Sequence, residues 1–206
     1  MSFQDKIYKS RKTIIEMMED RRVNMDKFKQ YSINEIELML NNHPKANKDI
    51  SPIDIRLDHV LIKYILHPPK IRVSNIISLI DTLIENLKEG DTLIFIGIEK
   101  LTSEDVLEEY FDTIYSKNKI FVQYFNLDTL TFNVTHHNMV PKHTILSEEE
   151  STSLVKSLYI SDKTKLPKIN KTDPISKYYG IKKGNIFRIS RPSETAGVSN
   201  YYRLCE

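Results

Sequence analysis

"GIKKGNIFRISRPSETAG", Gly180 to Gly197, is the stretch on which the reading of this chain turns. Two glycines, two lysines and the run Arg191-Pro192-Ser193-Glu194-Thr195 admit a phosphate-gripping loop, a reactive serine or a shaped turn. A Walker loop has four residues between its first glycine and Gly-Lys-Ser/Thr, on a strand-to-helix turn. Here only Ile181-Lys182-Lys183 separate Gly180 from Gly184, and "NIFRIS" after them reads as a strand. The Rossmann spacing fails for the same reason. Ser193 stands outside any G-x-S-x-G elbow, and no histidine or acid is tied to it by spacing. The stretch predicts a short helix closed by Gly180, then a strand. A loop bounded by Pro192 and Gly197 follows, with Ser193 and Thr195 bonding local backbone.

The flanks agree. Asp173-Pro174 supplies an N-cap and a proline at the first helical position, two turns before Gly180. Ser147 and Glu150 have capping-box spacing and open a helix to Tyr159. "DKTKLPKINKTD" is a polar crossing, and "NIFRIS" and "NYYRLC" are the last two strands, joined by an Arg191–Ser199 loop.

Upstream the texture differs, with a boundary near residue 134. Ile7, Arg11, Ile14, Ile15 and Met18 recur at helical steps, and Ser32 with Glu35 caps a second helix that stops at Asn41-Asn42-His43-Pro44. "IDIRLD" alternates as a half-exposed strand, and "VLIKYIL" continues it or pairs with it. Ser74 caps a helix that Gly90 closes, "TLIFIGI" is a strand covered on both faces, and Thr102 or Ser103 caps the next helix. "KIFVQYF" and "LTFNVTH" read as strands. Strands alternating with helices predict an α/β unit with a parallel pair.

The totals exclude several classes. The chain has 206 residues, 40% hydrophobic and 28% charged, which suits a folded protein with a real core. A net charge of +2 confines any nucleic-acid contact to a local patch. One cysteine, Cys205, excludes an internal disulfide and a cysteine zinc finger, and fits a reducing compartment, cytosol or nucleus. No signal peptide or membrane span is expected, because the N-terminus is charged from its fifth residue and the apolar runs are strand-sized.

Candidate chemistry is sparse. His136, His137 and His143 lack the tight ligand spacing and placed carboxylate of a zinc site, so no metal or cofactor is expected. An α/β domain with charged strands could be a nuclease, yet no Glu-x-Lys or Asp-x-Lys occurs to hold a divalent ion beside a lysine. Arg11, Lys12, Arg21 and Arg22, and Lys182, Lys183, Arg188 and Arg191, are the basic clusters available to nucleic acid. Neither is interleaved with aromatics.

A resemblance adds what spacing does not. "HHNMVPKHTILSEEE" (His136–Glu150), "LPKI" (Leu166–Ile169), "DPISKYYGIKKGNIFRISRPSETAG" (Asp173–Gly197) and "YYR" (Tyr201–Arg203) resemble the fifth subunit of eukaryotic RNA polymerases, whose archaeal counterpart corresponds to this C-terminal part alone. "RKTIIEMMEDR" (Arg11–Arg21) and "FVQYFNLDTLTFNVTHH" (Phe121–His137) are similar to that family's first-helix and linking segments.

The resemblance implies an α/β jaw domain over 1–134, with a nuclease-like sandwich and a partly parallel sheet. It also implies a small α+β assembly domain over 135–206, with a mixed sheet and two helices. It implies a non-catalytic subunit of a multisubunit DNA-directed RNA polymerase, docked on the largest subunit near the sixth, with its jaw beside downstream duplex DNA. By position, docking would fall to His143, Leu166, Pro167, Asp173, Pro174, Tyr179, Gly180, Gly184, Arg191, Pro192, Ser193, Glu194, Gly197 and Arg203. The family's DNA-proximal Thr-Pro-Ser-Ala turn falls at Thr102-Ser103-Glu104-Asp105, where its proline and alanine are absent and two acids stand instead. After Gly197, Val198-Ser199-Asn200 replaces the family's basic and aromatic residues. A divergent source is expected: a large DNA virus with its own polymerase, acting in the viral factory and virion, or a cellular eukaryote, acting in the nucleus. The rival readings are a stand-alone nuclease and a transcription-factor adaptor outside any polymerase.

Overall fold

A computed structural model describes residues 2–29, 31–41, 51–66, 72–98, 100–101, 104–195 and 197–206. The chain divides into two compact units: Met1–Ile15 with Met25–Phe132, and Glu16–Asn24 with Asn133–Glu206. The described residues form two mixed sheets and six α-helices.

Helix α1 (Phe3–Asp20) supplies residues to both units. It begins where Ser2 and Asp5 exchange side-chain-to-backbone hydrogen bonds. It ends in a Schellman pattern, with Arg22 N–H on Glu19 O, Val23 N–H on Met18 O, and Arg22 at φ 67°. Ile7, Ile14 and Met17 are fully buried along its inner stripe.

In the first unit, Ser32 and Glu35 form the expected reciprocal cap before α2 (Ile33–Asn41). Strands β1 (Ile55–Leu57), β2 (Val60–Ile65), β3 (Thr92–Gly97) and β4 (Phe121–Asn126) lie side by side in chain order. The first pair is antiparallel and the other two are parallel, with α3 (Val73–Ile84) and α4 (Glu104–Asn118) as crossovers. Parallel strands covered on both faces read as unbroken apolar runs, and Leu93 through Ile96 are all fully buried. Leu93, Phe95, Val122 and Tyr124 pack with Ile76 and Ile80 of α3 and with Leu107, Phe111 and Ile114 of α4.

Four local readings need correction in this unit and just beyond its end. "LTFNVTH" contains no strand; it folds as 3₁₀ turns at Leu127–Leu130 and Val134–His136. The Asn126 and Asn133 side chains accept from Asp128 N–H and Thr135 N–H, and these local bonds bend the chain away from a ladder. Ser74 is not a cap, because α3 starts at Val73 after an extended Arg72. Gly90 does not close α3, which ends at Ile84; Gly90 sits in the turn before β3 at φ 92° and donates to Lys119 O. "IDIRLD" is strand only from Ile55 to Leu57, because the Asp54 carboxylate accepts from Ser51 N–H and Tyr64 N–H. The expected stop at Asn42-His43-Pro44, the break at His67-Pro68-Pro69, and Thr102 and Ser103 lie outside the described residues.

In the second unit, β5 (Lys142–Ile145), β6 (Lys168–Ile169), β7 (Ile186–Ser193) and β8 (Gly197–Cys205) form a sheet in the order β5-β7-β8-β6. β6 runs parallel to β8, and the other pairs are antiparallel. The Ser147–Glu150 capping box starts α5 (Glu148–Ser157), and Asp173 with Pro174 starts α6 (Pro174–Tyr179). On one face, Leu146, Leu154 and Leu166 pack with Ile186 and Leu204. On the other, Ile169 and Ile181 pack with Phe187, Ile189 and Cys205. The Arg191–Ser199 segment is not an open loop: the ladder continues through Arg191↔Ser199, Pro192↔Val198 and Ser193↔Gly197.

Phe95 is fully buried in the first core, so Phe95→Ala should cost about 3–5 kcal/mol of unfolding free energy. Urea denaturation followed by circular dichroism measures it, and a loss below about 1 kcal/mol would contradict the packing described.

Candidate functional site

The residues singled out in the second unit separate by position. Leu166 belongs to the apolar core. Asp173 Oδ1 accepts from Ile175 N–H at 2.9 Å, and Pro174 follows at the first helical position of α6. Gly180, Gly184 and Gly197 have φ of 62°, 88° and 70°, a region that disfavours any side chain. Their presence in a specific motif therefore has a backbone reason.

Five of the remainder are exposed: Pro167, Arg191, Pro192, Glu194 and Arg203. Ser193 is half-buried at the hairpin end, its hydroxyl 3.4 Å from that of Thr195. The sheet brings several of these groups to one face. Cross-strand pairing sets His143 beside Ile189, Ile189 beside Tyr201, and Phe187 beside Arg203. Arg191 lies over the Tyr201 ring at 5.0 Å, a cation–π contact at the rim of the face. The His143 ring stands edge-on to Phe187 at 5.3 Å and stacks near Tyr179 at 6.4 Å. His143 Nδ1–H donates to Pro141 O at 2.7 Å, leaving Nε2 as the acceptor of a neutral ring. Burial pushes the His143 pKa below its ordinary value. The Pro141 carbonyl and Asp173 oppose the shift, while Arg191 and Arg203 add to it.

This surface has an apolar aromatic centre and a basic rim, as protein interfaces have. Among the described residues, no three His, Cys, Asp or Glu side chains converge as a metal site would require. His136 Nε2 is instead 3.9 Å from Glu16 Oε2. In the first unit, an open hollow is lined by Phe28, Leu57 and Leu87, with Lys27, Arg56 and Lys88 also in its wall. Among the described residues no helix is long and apolar enough to cross a membrane.

Two basic residues considered for nucleic acid are structural. Arg11 is buried, donates Nη1–H to Ile53 O at 2.7 Å, and lies over the Tyr31 ring at 4.9 Å. Arg21 donates to Tyr178 O at 2.9 Å and to Lys177 O at 2.6 Å, and desolvation pushes its pKa down to about 9. Tyr178 OH donates to Asp20 at 2.7 Å and accepts from Asn133 at 3.0 Å. Sequence reading missed Tyr201 and Val198 as surface residues, although both are large, apolar and well out of the sheet's cover at 50% and 62% exposure.

Residues 132–205 match the family described as RNA polymerase Rpb5, C-terminal domain. Over 98% of its length the chain is 30% identical to the Dictyostelium discoideum protein "DNA-directed RNA polymerases I, II, and III subunit rpabc1", of which it covers 98%. It is also 37% identical over 86 residues to the subunit RPABC1 proteins of Caenorhabditis briggsae and Caenorhabditis elegans, a match covering 42% of this chain and 40% of each relative. The aromatic, basic-rimmed sheet face is thus that of a polymerase-subunit fold. The chain belongs to the Rpb5 (RPABC1) family of DNA-directed RNA polymerase subunits.

Two outcomes test this geometry. A Cβ on Gly180 would stand 2.9 Å from Arg21 Cζ, so Gly180→Ala should destabilise the second unit by about 1–3 kcal/mol in urea melts. A neutral effect would contradict the close approach. The second is acid sensitivity: with the folded His143 pKa depressed, the unfolded chain takes the proton first as pH falls. Stability is therefore full above the ordinary histidine range and declines below it. His143→Phe should flatten part of the fall in melting temperature between about pH 7 and pH 5. Parallel curves for both proteins would remove His143 as its source.

Proposed function

We propose that this chain is a non-catalytic subunit of a multisubunit DNA-directed RNA polymerase and that reactive groups lie on other chains. One observation carries the reading: the most specific motif forms the β7–β8 hairpin, whose exposed Arg191, Pro192, Glu194, Tyr201 and Arg203 surround a face built for contact. The motif's glycines, Asp173 and Pro174 serve turns and caps, and its apolar positions serve the cores. Residues 135–206 act as the assembly domain and dock on the largest subunit, with the sixth subunit and other polymerase chains as neighbours. His143 and Tyr179 support that surface from beneath, and Ser193 and Gly197 shape the hairpin end.

Residues 1–134 act as the jaw, with the parallel sheet as a nuclease-like scaffold that lacks nuclease chemistry. Thr102 and Ser103 are the positions assigned to downstream duplex DNA. Glu104 and Asp105 in the first turn of α4 make that contact weaker than a basic turn would. A cellular source places the chain in the nucleus. A virus carrying its own polymerase places it in the viral factory and virion. The adaptor and nuclease readings have no observation of their own in their favour.

Affinity purification of the tagged chain with quantitative mass spectrometry tests the reading; stoichiometric recovery of a very large catalytic subunit is expected, and its absence would overturn it. Arg191→Glu combined with Glu194→Lys should lower incorporation at least tenfold while leaving the melting temperature of the isolated chain unchanged. Both are exposed rim positions, where desolvated charge pairs across an interface are costly to reverse. Full incorporation would exclude the hairpin rim from docking.

A further inference from the structure

We infer that β8 is an acceptor edge: an extended segment of another polymerase chain, alternating acidic and apolar residues, adds to it as a further strand beside Gly197–Arg203. The inference rests on the subunit reading above and specifies how that contact is made.

The sheet leaves this edge open. β6 pairs with β8 only at Lys168↔Leu204 and Ile169↔Cys205. Pro167 O takes the Leu204 N–H, and the chain before it folds as a 3₁₀ turn at Lys163–Lys165 rather than continuing the strand. Among the described residues, nothing pairs with Gly197–Arg203 on the side away from β7.

The outward donors follow from alternation. Cys205 N–H points to β7, where it meets Asn185 O, and Leu204 N–H points the other way. The register from Ile186↔Leu204 to Ser193↔Gly197 is unbroken. Val198, Asn200 and Tyr202 therefore turn both N–H and C=O outward. Three donors and three acceptors in line, at an edge without lysine, proline or a bulge, form a strand template.

The opposite edge is treated differently. β5 covers β7 only as far as Lys142↔Ser190. Beyond it the outward-facing position is Pro192, paired with Val198, and proline has no N–H to offer. One side of the hairpin is blocked and the other is not, so the open side is the one that receives a strand.

The side chains state the partner's chemistry. On one face Tyr201 and Arg203, with Arg191 next to them, present two guanidinium groups; no ion pair to a carboxylate holds either among the described residues. On the other, Val198 is exposed and Tyr202 lies against the Leu146–Leu154–Leu166 core. An added strand therefore meets arginine on one face and, on the other, Val198 and Tyr202 around the single amide of Asn200, with Arg188 a strand farther in, which selects alternating acidic and largely apolar residues.

Hydrogen–deuterium exchange on the full chain, free and co-expressed with the largest polymerase subunit of its source, tests this. The amides of Val198, Asn200 and Tyr202 should exchange at least tenfold more slowly in the assembly, while Ser199, Tyr201 and Arg203, already bonded toward β7, change little. Assembly with those three amides still exchanging at the free rate would overturn the strand addition and leave the subunit reading standing. Failure to assemble at all would overturn both. Protection that appears in the free chain as its concentration rises would identify a second copy as the occupant and also overturn the inference. Asn200→Pro removes one outward donor without touching the β7 ladder and should weaken assembly at least tenfold. Asn200→Ala, which loses only the side-chain contact with Ser190, should assemble as the parent does; equal behaviour of the two variants counts against the backbone contact.

Discussion

The second unit depends on how the guanidinium of Arg21 is held. α6 has six residues, too few to be stable by itself, and its last carbonyls need donors. Arg21 supplies them to Lys177 O and Tyr178 O from a residue more than 150 positions earlier. The turn after α6 then has to leave room. Gly180 adopts φ 62° with the arginine against it, and its N–H bonds back to Lys177 O and Ser176 O. Tyr178 extends the same network to Asp20, Asn133 and, through Asn133, Glu16. Removing one member would strand a charge or a buried hydroxyl, which is why such a network specifies one arrangement more than it adds net stability. Tyr179 is carried onto Phe187 and His143 by this anchoring, so the aromatic face of the sheet is set by a contact that lies off it.

The first unit balances apolar and polar packing differently. Its α3–α4 side is an apolar cluster, whereas charged groups tie β1 and β2 to their surroundings. Asp54 accepts from Ser51 and Tyr64 N–H and stands 3.9 Å from Lys63 Nζ, both side chains nearly buried. Arg11 reaches Ile53 O between the rings of Tyr31 and Phe28. Ser10 Oγ lies 3.4 Å from Tyr64 OH, whose pKa burial pushes up to about 12. Buried charge of this kind is a poor source of net stability, and its directional bonds choose where α1 and the short β1 strand sit.

Local chemistry was legible in the sequence, and long-range chemistry was not. The caps at Ser32, Ser147 and Asp173 show in the sequence because a side chain two or three residues from its target needs no tertiary partner. The β3 run shows because burial on both faces leaves no polar alternation. "LTFNVTH" misleads because its apolar residues alternate while Asn126 and Asn133 bend the backbone locally, and periodicity does not weigh that competition. Arg191–Ser199 misleads in the opposite sense, since Pro192 and Gly197 look like breakers. At a sheet edge a proline removes only an outward donor, and Gly197 serves the turn at φ 70°. Arg21 carries no local signal of burial at all.

The same distinction sorts the residues of the Gly180–Gly197 motif. Its glycines answer to backbone geometry, its apolar positions Ile186, Phe187 and Ile189 to the two cores, and Arg191, Pro192 and Glu194 to neither. These three side chains are exposed at the hairpin end and open to a surface outside the chain. They line the end of a hairpin whose β8 edge, among the described residues, carries unpaired backbone donors and acceptors. An exposed edge of that length is an aggregation hazard for a protein that stays alone. A constitutive assembly would cover such an edge, where a transient adaptor would leave it open.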